Sequence, residues 1–184
     1  MSPTDLARQV MQRLEALAQI SDEAGKLTRT FASPAMRRAN ELVGSWMREA
    51  GMSVRVDAVG NLIGHYPAAQ PDGKIFLLGS HLDTVPNAGK FDGPLGVLVA
   101  IACVQELHER KLRLPFAIEV VGFADEEGVR FQSTYLGSRA LAGSYDPADL
   151  RRSDSLGVTT VHSKKEFGGN PDAIASTKLD AGRV

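Results

Sequence analysis

The sequence predicts an α/β fold, a mixed and largely parallel sheet with helices on both faces, and three observations predict it. Residues 74–80 (KIFLLGS) and 117–123 (AIEVVGF) are short apolar runs bounded by turn or acidic residues, the pattern of buried strands. The long apolar stretch 95–107 between them reads as a helix, and a helix joining two strands permits a parallel crossover. Chemistry-bearing clusters follow the runs: His81-Leu82-Asp83, then Asp92-Gly93, then Glu126-Glu127. In an open α/β sheet the carboxyl edge of the strands is where side chains distant in sequence converge.

The elements can be justified in order. Leu6, Val10, Leu14 and Leu17 recur at helical spacing between charged residues, which makes the opening segment an amphipathic helix and not a signal peptide. Ser33-Pro34 starts a second helix whose apolar face carries Leu42, Val43, Trp46 and Met47, and Gly51 closes it as a left-handed cap. Val54 and Val56, then Leu62 and Ile63, flank Ala58-Val59-Gly60-Asn61 and read as a hairpin. Residues 67–73 form a polar loop, with Asp72-Gly73 bounding the first strand of the crossover. Asp92 is placed to cap the next helix, with Pro94 in the first turn, where no N–H is needed. Cys103 lies in that apolar helix and is expected to be a buried thiol. A short helix begins at Gly137-Ser138-Arg139 with Ser138 as its cap, and beyond Asp146-Pro147 the chain grows polar. His65 reads as structural, Trp46 as core and His162 as solvent-exposed.

Composition narrows the function classes. With 184 residues and 43% hydrophobic content the chain suits one domain with a sizeable core. A net charge of −1 gives no electrostatic reason to bind nucleic acid or an anionic membrane. A single cysteine rules out an internal disulfide, no apolar run is long enough for a bilayer, and the expected location is the cytoplasm.

The three clusters together suggest a two-metal hydrolase. Zinc takes imidazole and carboxylate ligands, and paired catalytic metals about 3.5–4 Å apart need a bridging group. Asp92 is the candidate bridge, His81 a ligand to one metal and Glu127 to the other. Asp83 is expected to hydrogen-bond the far nitrogen of His81 and fix its tautomer. Glu126, left unligated, is the candidate general base and then acid, taking a proton from a metal-activated water and returning it to the leaving nitrogen. Any one cluster is more often a turn or a solvated loop; the argument rests on three in one register.

Segments 79–97 (GSHLDTVPNAGKFDGPLGV) and 123–143 (FADEEGVRFQSTYLGSRALAG) closely resemble the hydantoinase/carbamoylase branch of the di-zinc aminoacylase and carboxypeptidase-type metallohydrolases. The resemblance extends upstream through residues 27–64 and more loosely through 168–175 (GGNPDAIA), with Ala88 where many such proteins have a second glycine. It implies a zinc-peptidase-like catalytic domain with His81, Asp92 and Glu127 as ligands to two divalent ions, zinc most readily and otherwise manganese, cobalt or nickel. It also implies Asp83 as the residue orienting His81 and Glu126 as the catalytic base, acting on a small ureido or carbamoyl substrate such as allantoate or an N-carbamoyl amino acid. Such enzymes draw two further histidines and a lid and dimerisation domain from a longer chain. Residues 1–184 are therefore expected to be the amino-terminal part of one catalytic domain, incomplete at its carboxyl end, feeble alone and homodimeric at full length. The other readings are an aminopeptidase or deacylase of the same superfamily, and a non-catalytic truncated product.

Overall fold

The computed structural model describes residues 2–71 and 73–184, so the turn expected at Asp72 lies outside the described residues. Helix α1 (Pro3–Ala18) begins at Ser2, whose hydroxyl accepts the Asp5 N–H, and α2 (Pro34–Glu49) begins at Ser33, whose hydroxyl accepts from Met36 at 3.1 Å. In both helices a proline fills the first turn, where its missing N–H costs nothing. Gly51, at φ 78°, turns the chain out of α2. Strands β1 (Ser53–Val56) and β2 (Leu62–Tyr66) form the expected hairpin.

Strand β3 (Ile75–His81), helix α3 (Pro94–Glu109) and strand β4 (Ala117–Phe123) form the crossover, with β3 and β4 parallel. The sheet order is β1-β2-β4-β3. The sheet is mixed, as expected, but β1–β2 and β2–β4 are antiparallel, so only one of its three pairings is parallel. The reason is topological: the hairpin delivers β2 to the flank of β4 already reversed, and only the strands joined through α3 run together. The register sets His81 opposite Phe123, so β3 and β4 end side by side and their exits open onto one edge.

Helices cover both faces. Leu14, Leu17, Val43, Met47, Leu98 and Ile101 from α1, α2 and α3 are all but fully buried in one core with Leu62, Tyr66, Ile118 and Val120 of the sheet. Burial of each such side chain stabilises the fold by about 1.5–3 kcal/mol. On the opposite face Ile63 and Val121 pack with Leu141 of α4 (Leu136–Ala142). The rest of the chain adds short 3-10 turns at Pro147–Arg151 and Pro171–Thr177 around α5 (Thr160–Phe167). Among the described residues no helix is long and apolar enough to cross a membrane.

Away from the carboxylate clusters, two local expectations fail. Cys103 is exposed. Helix α3 is apolar nearly all round, and Val97, Leu98, Ile101 and Val104 take the inward stripe, leaving Cys103 on the outer one with Leu95 and Val99. Ser138 does not cap α4; the residue before the helix is Tyr135, in left-handed conformation, and the Ser138 hydroxyl donates to the Tyr135 carbonyl at 3.3 Å. The N–H groups of Tyr135, Leu136 and Gly137 are already bonded to the carbonyls of Glu126, Asp125 and Ala124, so little is left for a capping side chain to satisfy. Trp46 is half-buried beneath the Arg13 guanidinium, and His162 is exposed. His65 lies on β2 with its Nδ1 3.3 Å from a Glu119 carboxylate oxygen.

Candidate metal centre

His81 is the last residue of β3, and its position follows from the strand register. Its ring is mostly buried, and Nδ1 lies 2.9 Å from the backbone carbonyl of Asp83. A carbonyl can only accept, so Nδ1 carries the proton and the Nε2 lone pair is left free. That lone pair faces carboxylates: Glu126 Oε2 is 3.8 Å away and Asp92 Oδ1 4.0 Å. Ligand atoms of His81, Asp92 and Glu127 lie within 4.8 Å of one another.

Asp92 reaches the site through the turn before α3. It does not cap that helix; Gly93 occupies the cap position at φ 81° with no side-chain cap bond. The glycine is required sterically as well as conformationally, since a Cβ there would lie 2.5–2.8 Å from the His81 ring atoms. The imidazole therefore packs directly on the backbone of this turn, which brings the neighbouring carboxylate over Nε2.

Asp83 is buried beneath the site and does something different from what the sequence suggests. Its carboxylate stands 3.8 Å from His81 Nδ1, and the tautomer-fixing bond is made instead by its backbone carbonyl. The carboxylate accepts from the Glu127 N–H at 3.1 Å and the Glu126 N–H at 3.3 Å, so it pins the backbone of the glutamate pair. Burial raises the Asp83 pKa, opposed by those two amides and by His81. Glu127 is also raised, by burial first and then by the negative charge of Glu126, Asp83 and Asp92, with His81 opposing.

Three supporting residues carried no legible signal. Arg29 is fully buried behind β3, with Nε donating to the Leu82 carbonyl at 2.8 Å and Nη1 to Leu17 and Ile20. Burial pulls its pKa down to about 10, partly offset by Asp83 and Asp22. Asp125 and Lys164 are buried near the glutamate pair, where burial raises the acid and lowers the amine. Lys164 Nζ donates to the Val59 carbonyl at 3.0 Å. In the sequence Lys164 stands in the polar stretch beyond Asp146-Pro147, and only its tertiary position makes it a buried charge.

The donors fit a divalent cation. An imidazole nitrogen with a free lone pair stands among three carboxylates, and among the described residues no lysine or arginine forms an ion pair with Asp92, Glu126 or Glu127. Such a set leaves negative charge uncompensated, and nitrogen and carboxylate donors suit zinc or manganese.

Residues 77–177 match the model of peptidase family M20/M25/M40. The chain is 43% identical over 174 residues to an N-carbamoyl-L-amino acid amidohydrolase of Geobacillus stearothermophilus, covering 94% of this chain and 42% of the relative. It is 43% identical over 168 residues to allantoate deiminase 1 of Glycine max, covering 89% of this chain and 34% of that one. A crystal structure of a hydantoinase/carbamoylase family amidase from Burkholderia ambifaria superposes with a TM-score of 0.83 at 34% identity, covering 89% of this chain and 41% of the other. The chain thus spans well under half the length of the relatives it matches.

Proposed function

Since the chain belongs to peptidase family M20/M25/M40, we propose that it carries the base and part of the metal set of an amidohydrolase cleaving linear C–N bonds in ureido or carbamoyl compounds. The observation that carries the reading is the convergence of His81, Asp92 and Glu127 within 4.8 Å, with Glu126 beside them. In this reading His81, Asp92 and Glu127 would hold two divalent ions, with Asp92 as the ligand they would share, and Asp83 supports the site from below. Bound there, zinc or manganese would polarise the substrate carbonyl and make water a nucleophile near neutral pH.

The chain's own residues do the remaining work. Glu126 is about a quarter exposed, which lets its carboxylate meet substrate and solvent, while its backbone is fixed by Asp83. It takes a proton from the attacking water and delivers it to the departing nitrogen, a role worth about 10²–10⁴ in rate. His81 Nδ1 is committed to the Asp83 carbonyl, which turns Nε2 toward the carboxylates. The substrate class comes from the similarity to the N-carbamoyl-L-amino acid amidohydrolase and the allantoate deiminase. The full-length protein is proposed to be a cytoplasmic homodimer, of which residues 1–184 are one part of the catalytic domain.

Catalytic zinc ordinarily keeps three protein ligands, whereas the cluster here offers His81, Asp92 and Glu127 to two ions. The isolated chain is therefore expected to turn over allantoate or N-carbamoyl amino acids feebly, and robust chelator-sensitive turnover by it alone would contradict this. The functional test joins the chain to the remainder of the Geobacillus relative and assays ureido acids against N-acyl amino acids and dipeptides. Preference for ureido acids is expected; preference for the others would mark a deacylase or aminopeptidase. In that chimaera Glu126→Gln should keep its metal and lose about 10²–10⁴ in turnover. Glu127→Gln should instead lose metal, and the reverse pattern would exchange the two roles.

A further inference from the structure

Asn61 is completely buried, and every polar atom of its side chain is used. Nδ2 donates to Asp57 Oδ2 at 2.8 Å and to the Gly137 carbonyl at 3.2 Å, while Oδ1 accepts the Ala124 N–H at 2.8 Å. The hairpin itself does not need the Oδ1 contact. Asp57 Oδ1 alone accepts the N–H groups of Val59, Gly60 and Asn61, at 3.0, 3.0 and 2.9 Å, and the Asp57 N–H closes the turn on the Asn61 carbonyl at 3.0 Å. What Oδ1 holds is the first amide beyond β4, just past the last β2–β4 pair, Leu62 with Gly122.

That amide lies two residues before Glu126. The other wall of the same junction is Gly137, whose N–H donates to the Ala124 carbonyl at 2.8 Å. A Cβ on Gly137 would fall 2.0 Å from Asn61 Oδ1 and 2.5 Å from the Ala124 nitrogen, so the Asn61 side chain and the backbones of Ala124 and Gly137 meet with no room for another side chain. Hairpin, strand exit and α4 are thereby joined at the point where the chain turns toward the site.

We propose that Asn61 is a positioning residue for the Glu126-Glu127 pair, fixing the direction in which the chain leaves β4. It touches neither substrate nor metal. Asp83 holds the amides of Glu126 and Glu127 from one side, and Asn61 holds the root of the same segment from the other. Removing the Asn61 side chain frees a buried N–H and uncouples the hairpin from the segment, so the two carboxylates lose their aim while the sheet below keeps its register. The proposal rests on the reading of Glu126 and Glu127 given above.

The test follows residue-resolved amide exchange of the metal-free chain, together with zinc uptake in competition with a chromogenic chelator and the visible spectrum of the Co²⁺-loaded chain. Asn61→Ala should lose about ten-fold or more of its protection at Ala124, Glu126 and Glu127 while Val120 and Val121 keep theirs. Zinc affinity should fall about 10–100-fold, the range for residues that orient metal ligands, and the Co²⁺ spectrum should change. Leu14→Ala, a core truncation remote from this junction, should lose stability without either change. Unchanged protection from Ala124 to Glu127, or wild-type zinc affinity and Co²⁺ spectrum, in Asn61→Ala would overturn the proposal. If the wild-type chain takes up no zinc, His81, Asp92 and Glu127 do not suffice for a site without the rest of the protein, and the exchange pattern alone decides the role of Asn61. If Asn61→Ala does not fold, the wild type decides it: an Ala124 amide exchanging faster than those of Val120 and Val121 would overturn it.

Discussion

The two carboxylate-bearing segments that meet at His81 are built in opposite ways. The segment after β4 is held on every side: Asn61 takes the Ala124 N–H, Asp83 takes those of Glu126 and Glu127, and residues 135–137 donate to the carbonyls of Ala124, Asp125 and Glu126. The turn before α3 carries Asp92 on a side chain that is 72% exposed, behind a glycine that makes no side-chain cap. The segment that carries the proposed base is thus preorganised by the fold, whereas the carboxylate proposed as the bridge is free to adjust to whatever it binds. Preorganisation belongs where a proton must move at a fixed distance, and tolerance belongs where ion size can vary.

The contrast breaks most severely at Asp83. Asp83→Ala deprives two amides of their charged acceptor and leaves the buried Arg29 without its neighbouring negative charge. A loss of about 3 kcal/mol is expected from bonds of this kind, read by denaturant unfolding of the metal-free chain. A loss under about 1 kcal/mol would mean that Glu126 and Glu127 do not depend on Asp83 for their position, and the two segments would be alike.

How much of this was legible depends on whether the signal was local. Strand β4 runs Ala117–Phe123 as its apolar pattern predicts, and the Ser33 cap of α2 is a short-range hydrogen bond that four consecutive residues specify. His81, Asp92 and Glu127 could be grouped because each stands next to a strand or helix boundary. What could not be read is anything decided by contacts across the fold. Asp92 looks like a cap until Gly93 is found pressed against the His81 ring, and Asp83 looks like a partner for that ring until its carboxylate is found under the glutamate amides. Cys103 sits in a helix whose apolar residues point everywhere, so periodicity could not choose its buried face. Asn61 and Gly137 stand 76 positions apart in the sequence, and no spacing rule links them.

A smaller effect sharpens the contrast through pH. Asp125 is buried in the clamped segment, and burial, followed by the charge of Asp83, raises its pKa; Asp83 is itself raised by burial. In such a case the native state keeps a proton that the unfolded chain has released, so stability falls as pH rises out of the ordinary carboxylate range and is regained on acidification. Each pKa unit separating the two states corresponds to about 1.4 kcal/mol. Carboxylates held low elsewhere, such as Asp154, work in the opposite direction, so the test is a difference. The advantage of Asp125→Asn over the wild type, measured on metal-free protein by thermal unfolding, should grow steadily between about pH 4.5 and pH 7.5. A difference that shrinks over that interval would place Asp125 in a charge-stabilised setting and remove the burial argument.

The smallest expected change is in the stability of Asp92→Ala, and it is the most telling because metal uptake should change at the same time. Among the described residues the Asp92 carboxylate has a single ionic neighbour, His81 Nε2 at 4.0 Å, and no side-chain hydrogen bond supports α3 from this turn. Truncating an exposed side chain with so little to lose should shift unfolding of the metal-free chain by no more than about 0.5 kcal/mol. Zinc uptake by the same variant should fall sharply, because His81 and Glu127 would remain with nothing to join their ions. Calorimetric titration beside a denaturant curve reads both quantities on one preparation. If the variant unfolds easily, Asp92 is part of the scaffold and the open segment is not open; if it binds zinc as the wild type does, the bridge is some other carboxylate, with Glu126, 3.8 Å from the same nitrogen, the first to examine.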